Sequence, residues 1–246
     1  MSVGAFAGIL ACLEIGYRLG HRRTEETAHE GIGAIEASVF ALLGLLLAFS
    51  FAGGSSRLDA RRQLIIEEAN SIGTAYLRLD LLAPAGQLEM RHLFREYLDA
   101  RLQVYQKLPS LEAAEQEMER AAAIQQKLWA QAVNASRADT SPATAMLLLP
   151  AINQMLDVTT SRKVALYTHL PSLILAMLMI VALLSGLLAG YAMAKRKRRS
   201  WLHMIVYAFV ISVTIYAVID LDYPRSGWIR LDVADDALAK LRDSIR

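Results

Sequence analysis

Cysteine is almost missing. Cys12 is the one cysteine in 246 residues, so a disulfide or a thiolate metal cluster within one chain is excluded. The five histidines (His21, His29, His92, His169 and His203) show no His-x-x-x-His spacing. No GxSxG, Walker A or dinucleotide fingerprint stands in a suitable context. Charge of neither sign dominates: 26 Lys and Arg against 24 Asp and Glu leave +2, which gives no nucleic-acid footprint. These absences lead us to expect no enzymatic activity, no catalytic residues, no cofactor and no nucleic-acid partner.

What is abundant is apolar sequence. Hydrophobic residues make up 54% of the chain and mean hydropathy is +0.31, above what soluble domains carry. Ser172 to Ala194 and Trp201 to Ile219 contain no charged residue, and each is long enough to cross a hydrocarbon core of about 30 Å. Lys195-Arg196-Lys197-Arg198-Arg199 separates them, the pattern of a cytoplasmic hairpin between two membrane helices. Near the N-terminus, about 2–20 and 33–52 read as two further spans. In the first, the positive charges follow the apolar stretch, so a retained span fits better than a cleaved signal.

The expected fold class is therefore an all-α integral membrane protein, with four transmembrane helices in two pairs flanking a central helical domain. We divide the chain into a first pair over 1–52, an extramembrane helical domain over 53–169, a second pair over 170–222 (spans about 172–194 and 201–219), and a tail over 223–246. Within the central domain, helices are expected over Ser55 to Leu82, about Gly86 to Leu108, from Ser110 to about Arg137, and from Pro142 onward. Pro150 is expected to kink or break the last.

Two short loops, 20–30 and 195–200, are basic and lie on the same side of a four-span protein. Charge asymmetry puts both in the cytoplasm and the central helices on the other side, in the periplasm or exterior. Basic residues also flank the central domain at Arg57, Arg61, Arg62, Arg162 and Lys163, so its side stays open.

Several residues could carry function. Phe40, Leu43, Leu47 and Phe51 lie on one side of the second span and could form a constriction that gates by dewetting. Just beyond them, Arg57, Asp59, Arg61, Arg62, Glu67 and Glu68 could ring the mouth of a pore, where arginines suit anions. In the same stretch Leu58, Ile65, Ile72 and Leu79 recur every seven residues, with Ala69 and Tyr76 between, the spacing of a helix seam. Glu14 and Glu36 are acids within spans, and Glu14 is four residues before Arg18, where a pair can form. Small residues repeat at Ala182, Gly186, Gly190 and Ala194, and at Gly33, Ala37, Ala41, Ala48 and Ala52, where helices can approach closely. Asp220 and Asp222 are a weak metal site alone, and a capped helix exit is the simpler reading.

Leu42–Ser50, Ser56–Leu64, Glu68–Asn70, Gly73–Arg78 and the C-terminal Asp222-Tyr223-Pro224-Arg225-Ser226-Gly227 occur here in one order. Together they resemble the bestrophin-like family of bacterial membrane proteins, over essentially the whole chain. A more distant similarity leads to the bestrophins themselves. That resemblance implies a pentameric anion channel with two helix pairs flanking cytosolic helices. Its second span would form a hydrophobic neck, with Leu43, Leu47 and Phe51 in that role. Leu58 and Asp59 stand where bacterial bestrophins carry a tryptophan pair. The expected partners are lipid, further copies of the chain and an inorganic anion. The alternative is a non-conducting scaffold or sensor whose helical domain binds a partner.

Overall fold

In a computed structural model, the protein is described at residues 2–22, 32–107, 110–138, 141–194, 200–224, 227–229 and 232–245. The basic 195–199 cluster and most of the 20–30 loop lie outside the described residues, as do Arg225 and Ser226. All regular structure among the described residues is helical. Helices α1 (Ser2–His21), α2 (Ile32–Leu77), α3 (Pro84–Lys107) and α4 (Leu111–Ala138) are followed by α5 (Pro142–Tyr167), α6 (Ser172–Ala194), α7 (Trp201–Asp222) and α8 (Asp232–Ser244). A 3-10 turn at Arg78–Leu81 closes α2. Four helical stretches are long and apolar enough to cross a membrane.

The chain divides into two compact units, Met1–Arg57 with His169–Tyr223, and Leu58–Thr168 with Pro224–Arg246. In the first unit, Ile9 and Leu13 of α1, Leu43 of α2, Leu178 and Ala182 of α6, and Met204, Ala208 and Ile215 of α7 form one buried core. The packing does not follow the pairing in sequence: α1 lies along α6 and also touches α7. The α6 small-residue repeat explains why. Ala182, Gly186, Gly190 and Ala194 are all buried, and Gly186 faces Ile9 and Cys12. A Cβ at Gly190 would overlap the Leu13 carbonyl, and one at Gly16 the Leu187 carbonyl. Backbones this close gain dispersion along their whole length, the main force available where lipid supplies no hydrophobic drive.

Helix α2 contributes to both units and runs without interruption through the expected domain boundary at residues 52 and 53. Gly53 and Gly54 each disfavour helix by about 1 kcal/mol, too little to interrupt a helix well formed on both sides. Gly54 has a packing use, since a Cβ there would lie 3.1 Å from Leu221 Cβ.

In the second unit the seam is as spaced: Leu58, Ile65, Ile72 and Leu79 are all buried, as are Ala69 and Tyr76. Arg62, seven residues before Ala69, is exposed. Helix α3 packs on α4, and α4 on α5, with Phe94, Tyr97, Leu128, Leu148 and Ile152 among the buried side chains. Pro150 sits inside α5 without ending it. The segment read as a tail carries α8, which packs on α3 through buried Leu238 and an Arg242–Asp99 pair (2.6 and 3.3 Å).

The Gly190 contact sets a test. Gly190→Val should remove most folded protein, costing more than the roughly 1–3 kcal/mol of ordinary overpacking, because the obstacle is backbone. Gly4→Ala, with nothing within 4 Å of the added carbon, should leave the yield unchanged. Size-exclusion yield in detergent compares them; full recovery of Gly190→Val would show that α1 and α6 do not approach in this way.

Candidate functional site

The proposed constriction residues divide by environment. Leu43 is 3% exposed and sits in the first unit's core. Leu47 packs against the same core, and the half-buried Phe40 meets Tyr207 edge-on at 6.5 Å. Only Phe51 of the four is exposed, at 48%. In the single chain, Leu43 is thus a side chain enclosed in its own bundle. The opposite side of α2 is the open one. Gly33, Ala37, Ala41, Ala48 and Ala52 are exposed there, beside Leu45 and Phe49.

The charged residues beyond the span also separate. Arg62 pairs with Asp59 at 3.3 Å, and both are exposed, as is Glu67. Three others are structural. Arg57 Nε donates to Asp222 Oδ1 at 2.7 Å. Arg61 is buried and donates to the carbonyls of Ala165 (3.1 Å) and Thr168 (2.7 Å), around the C-terminus of α5. There its cation complements the negative end of the helix dipole. Glu68 is 0% exposed and lies at the centre of an ion cluster.

Asp222 is a clasp rather than half of a metal site. Besides Arg57, it accepts the Leu170 N–H on Oδ2 at 2.8 Å, and His169 lies 3.5 Å from the same oxygen. His169 also stacks on Tyr223, with 4.3 Å between ring centres. One carboxylate thus ties the end of α7 to α2 and to the residues just before α6. With both oxygens engaged, Asp222 has little left for a cation. Asp220 is buried beside it in sequence, and among the described residues no group of three or more His, Cys, Asp or Glu could hold a metal.

Of the acids within spans, Glu14 pairs with Arg18 at 2.7 Å, as the four-residue spacing suggests. Glu36 is half-buried on α2, and its Oε1 has no hydrogen-bond partner among the described residues.

The Glu68 cluster was not legible as such. Arg101 Nε and Nη2 grip both Glu68 oxygens (2.6 and 3.2 Å), and Arg162 pairs with Oε2. Burial pushes the Glu68 carboxyl upward, but the two guanidiniums outweigh it and hold the group below its ordinary range. Nearby, burial raises the Tyr97 phenol, whose hydroxyl shares a hydrogen bond with Thr159 (2.8 Å) and accepts one from Gln125 (3.0 Å). The signal was present in spacing: Arg61 and Glu68 stand three residues after Leu58 and Ile65, on the inner face of the seam.

A family model for the bestrophin-like domain matches residues 3–235. The chain belongs to the bestrophin-like family. Comparison with curated proteins and with solved structures gives no match. Within this bestrophin-like chain, the family-type stretch Ser56–Arg78 contributes Arg57 to the clasp, and Arg61 and Glu68 to the interior of the helical unit.

Glu68→Gln should cost about 3–5 kcal/mol, because two guanidiniums are left buried without a carboxylate. A depressed carboxyl pKa contributes stability that is complete above the unfolded-chain value and lost as pH falls through the lower folded value. Thermal unfolding should therefore drop below about pH 4 in the parent protein, with a smaller slope in Glu68→Gln. Equal acid slopes would remove Glu68 as the responsible group.

Proposed function

We propose that this bestrophin-like protein is a homo-oligomeric channel of the bacterial inner membrane that passes inorganic anions. The observation that carries the reading is the bestrophin-like match over residues 3–235. It gains support from the outward side of α2, where small and apolar residues leave room for neighbouring copies to close around a common axis. In this reading the exposed Ala41, Leu45, Ala48 and Phe49, not the enclosed Leu43, border the passage or the contact that shapes it. Exposed Arg62 remains at the helix surface beyond the span, while Arg57 and Arg61 hold the fold. Five copies is the number suggested by analogy with bestrophins. The 195–200 loop faces the cytoplasm by its charge.

A second reading draws on the engagement of Arg57, Arg61 and Glu68 in internal contacts, which takes three charges away from the expected pore mouth. It is a membrane scaffold or sensor that does not conduct and whose helical unit binds a partner.

Chloride flux into liposomes carrying the purified protein separates the two, with oligomeric mass measured in the same detergent. The channel reading expects flux from a symmetric oligomer. Ala48→Trp should block that flux, whereas Leu47→Ala should change stability more than conduction. A stable oligomer without flux under any gating condition would favour the scaffold.

A further inference from the structure

The helical unit contains a cavity of about 550 Å³ between α2, α3, α4 and α5, the size of a small-molecule site. Its buried charges are spent on the fold. Arg61 donates to the Ala165 and Thr168 carbonyls, and Arg101 and Arg162 pair with Glu68. An ion entering here would give up its hydration and find the buried charges already engaged. Lys163, Glu115 and Glu119 also line the cavity, but at exposed positions, where water and salt screen them. Ile65, Val104, Met118 and Leu166 give it apolar walls.

A chain of hydrogen bonds orients one polar group on this wall. Thr159 donates its hydroxyl hydrogen to the Met155 carbonyl at 2.9 Å. Its oxygen therefore accepts from the Tyr97 hydroxyl at 2.8 Å, and the Tyr97 oxygen accepts a Gln125 amide N–H at 3.0 Å. The relay runs in one direction and sets which end of the Gln125 amide is nitrogen. The Gln125 carbonyl oxygen is left as a fixed acceptor on a residue that lines the cavity. Thr160, beside it in the lining, gives its hydroxyl hydrogen to the Leu156 carbonyl at 3.2 Å and keeps only lone pairs.

We infer that this cavity binds an uncharged small molecule with an apolar body and one hydroxyl or N–H donor. The apolar walls reward the body, and the Gln125 carbonyl takes the donor without having to be ordered first. The site lies within the helical unit, so it stands independently of whether the spans conduct.

Calorimetric titration of the full-length protein in lipid nanodiscs, with empty nanodiscs subtracted, tests this with three probes: 2-naphthol, its methyl ether 2-methoxynaphthalene, and the anion 2-naphthoate. 2-Naphthol should bind saturably, one per chain, with the ether and the anion each weaker by about fivefold or more. Gln125→Met keeps the length of the side chain and removes the acceptor. It should weaken 2-naphthol by about fivefold or more and leave the ether unchanged, a split that a merely structural role would not produce. Ala122→Trp places a large side chain in the cavity from an exposed position of α4 and should abolish binding of 2-naphthol, so the test does not depend on one variant folding. Absence of saturable 2-naphthol binding would overturn the proposal. So would equal or tighter binding of the ether or of the anion, an equal loss for both neutral probes in Gln125→Met, or unchanged binding in folded Ala122→Trp.

Discussion

Glu68 is a carboxylate with no exposure to water, and the helical unit is arranged around keeping it charged. Desolvating one carboxylate costs several kcal/mol, and attraction to two guanidiniums offsets this only when the geometry is good. The bonds from Arg101 and Arg162 meet that condition, and they fix three helices at once: α2 carries the acid, α3 and α5 the bases. Apolar packing alone would let these helices slide or rotate with little penalty. An ion cluster does not, because a shift by one residue would leave a buried charge unpaired. The apolar seam of Leu58, Ile65, Ile72 and Leu79 supplies adhesion, and the cluster supplies register.

Asp222 does comparable work in the membrane unit by different means. There the main adhesion is the α1–α6 approach over Gly16, Gly186 and Gly190, which is close but chemically unspecific. The Asp222 carboxylate adds direction. It gathers Arg57, the Leu170 amide and His169 at one end of the bundle, and it needs both oxygens to do so. Asp222 thus has a physical use within the fold itself.

Much of this architecture was legible in the sequence because hydrophobic length and small-residue spacing are one-dimensional signals. Uncharged runs at 172–194 and 201–219 became α6 and α7, and the four-residue repeat of α6 became its packed face. The seven-residue seam of α2 is buried as spaced. Facing was harder. Phe40, Leu43 and Leu47 form an apolar stripe that suits a pore, a lipid boundary or a bundle core equally well by composition. Only the position of α6 and α7 assigns Leu43 and Leu47 to the core and sets Phe40 against Tyr207. The Glu68 partners come from residues 33 and 94 positions away, a separation that no local periodicity reports. Helix α8 was missed although Val233, Ala237, Leu238 and Leu241 stand at amphipathic spacing, because 13 residues make a short pattern; its anchoring depends on Leu238 and the Asp99 pair.

The burial of Leu43 in the bundle bears on what conduction would require of this fold. In a helix that both packs inward and faces a passage, the two duties need opposite sides. Large side chains on the inner side of α2 fill the bundle, so the outer side can be small. The alanines at 37, 41, 48 and 52 are the kind of surface that permits close approach without wasting volume. Such a surface gives width or contact, but it does not itself close a passage. Closure would then fall to the large exposed groups of α2, Ile35, Leu42, Leu45, Phe49 and Phe51. A hydrophobic barrier made this way would be interrupted rather than continuous, and its dewetting would depend on how tightly neighbouring copies pack.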